Sequence, residues 1–413
     1  MSIKICLVSS FPPVKGGEAW YAQNFVSAMD TYLANEISEI HVLSHFEGKT
    51  LNPYEINGKV HLYRLYNSLD FISRNIAFLR IFRKIIQIHP DVVHLEYSAI
   101  PFGRYGGFLG ESLFFLFLML KILRIPVYIT LHSLMLPDQV EERAFERIKN
   151  KALSVLAKRY FIAFTHYFGR MAQTLFLLVN TKNSKLIQKF CMAYDLSPSL
   201  VKEEVHGIWI DKGLTYREVK QNSKKIVCLG IMFPSKGYEF GIEAMKLVLQ
   251  KHPTSSLIIA GSYPPTNYGE GRKYIEKLRN IVKNHRLEDA VTIEERYLSD
   301  DEFVQYIKTA AIVLLPYSRS VASSGIMHLA MMHKIPLILA GSGLSFEELS
   351  DFVPVVPPMN SEALAKEIIS ILGSVDYRTR IVEKYEGFLA NHDWAVVSKT
   401  IFREYSNRIY SKM

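Results

Sequence analysis

Several short apolar runs of this chain are followed directly by residues that could bind an anion or move a proton. The first such place is Pro12–Trp20, where Gly16 and Gly17 are predicted to open a helix. Two glycines there let backbone N–H groups approach an anion, and the helix dipole favours negative charge at that end. A glycine pair after proline also forms ordinary tight turns, so both interpretations stay open.

Two single residues in similar positions could also take part in chemistry. His132 follows the apolar run Val127–Leu131, which places an imidazole at the end of a predicted strand. Lys236 follows the run Ile226–Leu229 after a short loop and begins the next predicted helix. A lysine there could hold a phosphate as a point charge. The alternatives are a structural histidine and a solvated lysine at a helix terminus.

A serine and glycine cluster follows the run Ile312–Leu315. Ser323 or Ser324 is a suitable N-cap for a helix that begins at Gly325. Glycine removes side-chain bulk at that point and leaves the free N–H groups of the first turn open to a ligand. The cluster predicts a second anion site made of backbone, with a capped core helix as the alternative.

Eight candidate strands must position these residues. They are short and apolar, and they alternate with helical patterns, which is typical of βαβ units and a parallel sheet. The candidates are Ile3–Val8, Val92–Leu95, Val127–Leu131, Leu175–Val179, Ile226–Leu229, Leu257–Ala260, Ile312–Leu315 and Leu337–Leu339. Because the polar stretch Asp211–Lys224 divides them, we expect an α/β protein with two Rossmann-like domains facing each other across a cleft. Ligands of such sheets bind at the carboxyl ends of the strands.

The composition is that of an ordinary globular protein. The 413 residues are 49% hydrophobic and 22% charged, which excludes disordered, collagen-like and coiled-coil chains. Lys plus Arg number 49 against 40 for Asp plus Glu, and the net charge of +9 favours an anionic partner. No nucleic-acid-binding module is present, so we expect no nucleic acid partner. Three scattered cysteines without CxxC spacing predict no disulfide or zinc site and indicate a reducing, cytoplasmic setting.

Two segments suggest contact with a membrane. The uncharged run Leu113–Leu120 is shorter than the roughly 20 residues of a membrane span, and it predicts a buried or an interfacial helix. The segment Arg74–Gln87 has the spacing of an amphipathic helix with a basic face. Its apolar residues are Phe78, Ile81, Phe82 and Ile85, and its basic residues are Arg80, Arg83 and Lys84.

A basic and aromatic span follows, because no Asp or Glu occurs between Glu146 and Asp195. Basic amphipathic helices bind anionic lipid surfaces, although the same pattern also forms helices that face a protein core. We therefore expect a cytoplasmic protein that lies peripherally on the inner face of the membrane, with an anionic membrane surface as a partner.

The order of the motifs resembles the GT-B glycosyltransferases of family four, the glycosyltransferases group 1. The pieces are loose, but they occur in the family's order over nearly the whole chain. They are the glycine loop Pro12–Gly17, the segment Asp91–His94, the histidine motif Thr130–His132, the closing strand Val205–Ile208, the GR…KG loop Gly230–Gly237 and the EAMA.GKPVI segment Ala330–Ile338. The resemblance implies a GT-B fold with an acceptor domain at 1–212, a nucleotide-sugar domain at 213–390 and a C-terminal helix at 391–413 that packs back on the first domain.

The resemblance also implies a metal-independent, retaining transfer of a sugar to a lipid-linked or glycan acceptor. No cofactor is implied, because a nucleotide diphosphate sugar is the co-substrate. Lys236 would act on the phosphates, and His132 would bind the transferred sugar or direct the acceptor. The implied donor-binding residues are Gly16, Gly17, Gly230, Ser324, Gly325, Ile326 and His328. Electrostatic stabilisation of this kind usually dominates catalysis.

The chain departs from the family pattern at three positions. Ile231 stands where the family has an Arg, and Val321 and Leu329 stand where it has two Glu. Ser324 or His328 could replace a lost acid, or the donor could carry its own negative charge, which would disfavour carboxylates at close range. The third explanation is lost catalysis. The chain would then be a non-catalytic GT-B-like subunit that anchors or activates a partner glycosyltransferase.

Overall fold

A computed structural model describes residues 2–14, 16–48, 53–98, 109–132, 134–182, 184–210, 223–263, 268–318 and 324–410. The chain forms two compact units. The first unit is Met1–Gly207 with Trp394–Met413, and the second is Ile208–Asp393. Most of the polar stretch Asp211–Lys224 lies outside the described residues.

The sheet of the first unit has eight strands in the order β3-β4-β2-β1-β5-β6-β7-β8. The strands are β1 (Ile3–Val8), β2 (Ile37–Phe46), β3 (Tyr54–Asn57), β4 (Val60–Asn67), β5 (Val92–Tyr97), β6 (Val127–Leu131), β7 (Thr174–Val179) and β8 (Val201–Val205). Neighbouring strands are parallel except for the β3–β4 pair, which is antiparallel. The central strands are buried throughout, as expected for a parallel sheet with helices on both faces.

The sheet of the second unit has six strands in the order β11-β10-β9-β12-β13-β14, and its neighbouring strands are parallel. The strands are β9 (Lys225–Leu229), β10 (Ser256–Gly261), β11 (Val291–Glu295), β12 (Ile312–Leu315), β13 (Leu337–Ala340) and β14 (Val355–Val356). A 3₁₀ turn at Pro234–Lys236 follows β9. The two parallel sheets confirm the predicted α/β class.

Helices connect most of these strands. They are α1 (Gly17–Tyr32), α2 (Phe71–Asn75), α3 (Ala77–Ile88), α4 (Ser112–Ile122), α5 (Pro137–Ile148), α6 (Lys151–Met171), α7 (Lys185–Tyr194), α8 (Tyr238–Lys251), α9 (Tyr268–Asn284), α10 (Asp300–Thr309), α11 (Gly325–Met332), α12 (Leu344–Leu349), α13 (Ser361–Gly373), α14 (Val375–Glu383), α15 (Tyr385–Leu389) and α16 (Trp394–Tyr410). The last helix, α16, belongs to the first unit. Its Trp394 is fully buried 5.1 Å from the Tyr21 ring, and a Cβ at Gly207 would collide with the indole.

The two segments that suggested membrane contact form helices of the first unit. The predicted helix at Arg74–Gln87 is interrupted at Ile76, where α2 ends and α3 begins. Ile81 and Ile85 on α3 are fully buried, so this apolar face packs on the core and cannot insert into lipid. The run Leu113–Leu120 lies on α4, which buries one side and exposes the other. Among the described residues, no helix is both long and apolar enough to cross a membrane.

Candidate functional site

The loop that carries Lys236 is fixed against the loop that follows β12. Pro234–Lys236 forms a single 3₁₀ turn that ends at Gly237, whose φ of 64° suits glycine. A Cβ at Gly237 would collide with the carbonyl oxygen of Pro316. The Ser318 hydroxyl donates to the Pro234 carbonyl at 3.2 Å. These contacts hold the carboxyl ends of β9 and β12 together, as the predicted site requires.

Lys236 is linked through Tyr317 to the start of helix α11. The Lys236 ammonium lies 4.5 Å from the centre of the Tyr317 ring, within the range of a cation–π contact. The Tyr317 hydroxyl is hydrogen-bonded to the Ser324 hydroxyl at 2.9 Å. The structure therefore brings together two predicted site residues, Lys236 and Ser324, that lie far apart in the sequence.

Ser324 occupies the N-cap position of α11, but its hydroxyl does not cap the helix. It is bonded to Tyr317 instead, so the first-turn N–H groups of Gly325 and Ile326 donate no hydrogen bond to that side chain. A Cβ placed on Gly325 would meet no described atom within 4 Å. The helix start therefore offers N–H groups and positive dipole to an anion. Ser323, the other predicted cap, lies outside the described residues.

His328 lies behind this helix start, because its side chain is fully buried. Its Nδ1 lies 2.8 Å from the Ser324 carbonyl oxygen, and its ring packs against Phe388 and His392. These contacts fix the backbone of Ser324 from the buried side of helix α11. They favour a positioning role for His328 over direct contact with a ligand.

The remaining predicted positions of the second unit are Gly230, Ile231, Leu329 and Val321. Gly230 follows β9 directly with a φ of 114°, and its N–H donates to the Ala260 carbonyl at 3.1 Å. Ile231, which stands where the family has Arg, is 46% exposed. Leu329 is partly buried and packs against the apolar core. Val321 lies outside the described residues. Ile231 and Leu329 therefore present apolar side chains where the family has charged ones.

In the first unit, His132 is paired with a buried carboxylate. His132 follows β6, and its Nε2 donates to Oε2 of Glu96 on the neighbouring strand β5 at 2.6 Å. Burial disfavours the imidazolium, but the hydrogen bond and the charges of Glu96 and Glu18 outweigh burial and raise the pKa of His132. The hydrogen bond to Glu96 therefore favours the charged, hydrogen-bond-donating form of His132.

A second buried carboxylate, Glu204 on β8, lies in the same region. Tyr21 and Thr130 both donate to it, Thr130 at 2.7 Å. Burial and the nearby charge of Glu96 nevertheless raise the pKa of Glu204 well above its ordinary value. The two carboxyl groups therefore differ in their surroundings, because Glu96 accepts a hydrogen bond from His132 whereas Glu204 favours its protonated form.

His94 on β5 connects this pair of carboxyl groups to helix α16. Its Nε2 lies 2.8 Å from the Thr130 hydroxyl, and its Nδ1 is bonded to the Tyr405 hydroxyl. Since Thr130 donates its proton to Glu204, the network assigns Nε2 as the donor and Nδ1 as the acceptor of His94. Burial lowers the pKa of His94 to about 4, which agrees with this neutral form.

The predicted glycine loop lies at the start of α1, next to this network. Gly16 occupies the N-cap position, and a Cβ on Gly16 or Gly17 would meet no described atom within 4 Å. The first turn already holds a carboxylate, because Glu18 lies there and accepts a hydrogen bond from Ser10 at 3.2 Å. Because the Glu18 carboxylate already compensates the positive end of the helix dipole, this helix start favours a diphosphate less than the start of α11 does.

The prediction from sequence missed the two carboxyl groups, Glu96 and Glu204. Glu96 lies on β5, whose residues are all buried, and Glu204 is a buried residue of β8, one position before the predicted closing strand. A carboxylate inside such a strand must be paired or protonated, because an isolated charge in the interior is very unfavourable. The acidic residue in the run Val92–Tyr97 therefore indicated a buried functional group, although the sequence of the strand could not identify the partner of that residue.

Comparison with known proteins finds a family resemblance in the second unit. The sequence model of the family "Glycosyl transferases group 1" matches residues 216–387. A glycosyltransferase of Methanocaldococcus jannaschii, named as uncharacterized, is 25% identical over 245 residues. That match covers 55% of this chain and 59% of the relative, so the chain spans less than two thirds of the relative's length. The predicted resemblance to this family is confirmed, and residues 216–387 carry its sequence pattern.

Solved structures identify the fold of the whole chain. Sucrose-phosphate synthase from Thermosynechococcus elongatus matches with a TM-score of 0.71 and 15% identity, covering 99% of this chain and 100% of that one. HepE of Anabaena, solved with UDP and glucose, matches with a TM-score of 0.67 and 14% identity, covering 98% and 100%. At such identities the likeness concerns the fold alone, and it confirms the predicted GT-B fold.

Proposed function

We propose that this protein transfers a sugar from a nucleoside diphosphate sugar, and that the second unit binds the donor. The observation that carries the proposal is the chain of contacts from Lys236 through Tyr317 to Ser324 at the start of α11. It combines one fixed ammonium with first-turn N–H groups that the Ser324 side chain leaves uncapped, which suits a diphosphate. The family match covers the same residues, and HepE was solved with UDP and with UDP-glucose.

Within this proposal, the protein acts mainly on the leaving group. As the bond between sugar and diphosphate breaks, negative charge develops on the phosphate oxygens. Lys236 and the N–H groups of Gly325 and Ile326 would stabilise that charge without a metal ion. Tyr317 would fix the Lys236 ammonium, and His328 would hold Ser324 in place. Retention of configuration follows the family resemblance and is part of the proposal.

His132 is the residue of the first unit that we assign to a sugar or acceptor hydroxyl. Its Nε2 is hydrogen-bonded to Glu96, which fixes the ring orientation and favours the charged form of the imidazole. A charged imidazole hydrogen-bonds an oxygen more strongly than a neutral one does. We propose a binding role for His132, with Glu96 as the residue that positions it.

A lipid-linked or glycan acceptor at an anionic membrane surface is the second part of the proposal. The supporting observation is an exposed apolar stripe on α4, where Phe115, Leu118 and Ile122 are 60%, 49% and 72% exposed. Their spacing places them on one side of the helix, and an exposed Lys121 lies among them. Apolar and basic residues in this arrangement suit the interface of an anionic bilayer. Sedimentation with anionic vesicles tests it, and a triple Phe115, Leu118, Ile122→Ser variant should remain in the supernatant.

A non-catalytic subunit that anchors or activates a partner enzyme is the competing function. It is favoured by the exposed Ile231 and the partly buried Leu329, which stand where the family has charged side chains. Both functions retain the fold, so the fold does not distinguish them. Binding of a nucleotide sugar does.

Calorimetry and thermal shift with UDP, GDP and their sugar conjugates test the proposed function. We expect one of these compounds to bind and to raise the melting temperature, since a ligand that binds only the folded state stabilises it. Lys236→Ala should weaken that binding, whereas Lys246→Ala, at an exposed lysine on α8, should leave it unchanged. If none of the compounds binds, the non-catalytic function is the better description.

A further inference from the structure

The amino-terminal half of the first sheet carries a cluster of side chains that the proposed transfer does not use. It consists of Glu39 and His41 on β2 and His61 on β4. His41 and His61 are direct partners across the parallel β2–β4 pair, and Glu39 lies two residues before His41 on the same strand. All three side chains therefore extend from the same face of the sheet.

The three residues offer donor atoms that lie close enough together to hold one metal ion. One ring nitrogen of each histidine and one carboxylate oxygen lie within 4.8 Å of one another. Nε2 of His41 lies 2.9 Å from Oε2 of Glu39. Two ligands that bind one zinc ion at about 2.0–2.1 Å can have this separation. The imidazole rings of His41 and His61 are stacked with their centres 4.6 Å apart, so the two rings lie side by side.

Two tyrosines occupy the positions of outer partners for the imidazoles. The Tyr54 hydroxyl lies 3.0 Å from Nδ1 of His61, and the Tyr63 hydroxyl lies 3.5 Å from Nδ1 of His41. Histidines that bind a metal through one nitrogen usually hydrogen-bond through the other, which fixes the ring orientation. The cluster thus has both the ligands and the surrounding contacts of a built site.

Two lysines also face the cluster. The Lys4 ammonium lies 3.1 Å from Oε2 of Glu39, and the Lys84 ammonium lies 4.6 Å from the centre of the Tyr63 ring. Lys4 therefore competes with a cation for the carboxylate. It has another acceptor available, because its ammonium also lies 3.4 Å from the Ile88 carbonyl oxygen.

We infer that Glu39, His41 and His61 bind a divalent transition-metal ion of the zinc type, with water in the fourth position. Imidazole together with carboxylate suits Zn²⁺ and disfavours Mg²⁺ and Ca²⁺, which prefer oxygen ligands. The residues lie near the amino ends of β2 and β4, whereas His132 follows the carboxyl end of β6. The ion would cross-link β2 to β4 next to the edge of the sheet and stabilise the fold, with no part in transfer.

The test is titration of the full chain, freed of metal by a chelator, with Zn²⁺, Mg²⁺ and Ca²⁺ by calorimetry. We expect saturable binding of Zn²⁺ and a rise in melting temperature, with no such effect of the other two ions. His61→Gln should weaken Zn²⁺ binding by more than about tenfold, and Tyr54→Phe by about tenfold, the usual loss for an outer partner. His285→Gln, at an exposed histidine of the second unit, is the matched control and should bind as the unaltered protein does.

Lys4→Gln is a substitution that should increase the affinity for Zn²⁺, whereas His61→Gln should decrease it. Because it removes the competing ammonium, it should strengthen Zn²⁺ binding several-fold, a result that a purely structural cluster would not give. Equal Zn²⁺ affinity of His61→Gln and the unaltered protein would overturn the inference, as would an affinity that Lys4→Gln leaves unchanged. If His61→Gln does not fold, the Lys4→Gln result decides alone. None of these measurements depends on sugar transfer.

Discussion

The two units hold their chemically active groups in opposite ways. In the first unit, Glu96 and Glu204 are buried, and they accept side-chain hydrogen bonds from the half-buried His132 and from Thr130 respectively. In the second unit, Lys236 is only half-buried, and the backbone positions it through Gly237 and the loop after β12. Buried charges are strongly coupled to folding, whereas a partly exposed ammonium is not. Substitutions should therefore affect stability in the first unit and ligand binding in the second.

The largest expected effect is the loss of stability in Glu96→Gln. The substitution keeps the shape of the side chain but removes the charge that compensates the His132 imidazolium. Breaking a buried ion pair by removing one partner costs about 3–5 kcal/mol. Urea unfolding measures this cost, with Glu36→Gln as the control, since Glu36 is exposed on the same unit. A loss below about 1 kcal/mol, the range of exposed pairs, would show that the two units do not differ in this way.

The second expected effect is the loss of transfer in Lys236→Ala. Removing one preorganised group that stabilises developing charge typically lowers turnover by about 10²–10³-fold. The free energy of unfolding should fall by only about 0.5–1 kcal/mol, the value of an exposed cation–π contact. Transfer is measured with the nucleotide sugar that the binding experiments identify, and Lys246→Ala is the control. Full activity in Lys236→Ala would remove this residue from the proposed mechanism.

The third effect is a dependence of stability on pH that originates in the first unit. Folding raises the pKa of both His132 and Glu204. Protonation of each group therefore stabilises the folded state. This stabilisation is fully present below the pKa that the group has in the unfolded chain, and it is lost as the pH rises through the pKa that it has in the folded protein. The effect of His94 on stability has the opposite dependence on pH, because folding lowers the pKa of His94 to about 4. The stability that neutral His94 contributes is lost as the pH falls below about 6.5.

Above pH 6.5 only the first two contributions change, so the free energy of unfolding should fall as the pH rises towards 9. Urea unfolding at several pH values measures the slope. Glu204→Gln should have a shallower slope than the unaltered protein, because glutamine does not titrate. Parallel slopes for the two proteins would contradict the raised pKa of Glu204.

The strands differ in how well the sequence predicts them. β1, β6 and β12 match their predicted bounds residue for residue, because a strand buried on both faces appears as a continuous apolar run. β2, β4 and β8 were not among the eight candidates. They contain polar and charged residues such as His41 and Glu204, whose burial depends on partners from other strands. Local pattern cannot supply those partners.

The residues of the candidate sites likewise divide into those that local sequence predicts and those that depend on contacts between distant segments. Lys236, Gly325 and Ser324 could be predicted because a ligand of a parallel sheet binds where the strands end, and each follows a recognisable strand. Tyr317, which connects Lys236 to Ser324, was not predicted, since its role depends on a contact between two loops. The pairing of Glu96 with His132 likewise arises only when β5 and β6 are adjacent.

The smallest expected effect is that of Glu204→Gln on stability near pH 6.5. Glu204 favours its protonated form, and a glutamine has nearly the same shape and no charge. It can still accept a hydrogen bond from Tyr21 or Thr130, so the loss should stay near 1 kcal/mol, the net value of one hydrogen bond. Glu204→Ala should cost more, because it leaves both hydroxyls without their buried acceptor. A loss in Glu204→Gln as large as that in Glu96→Gln would mean that both carboxyl groups are charged, and that the first unit contains two buried anions for one imidazolium.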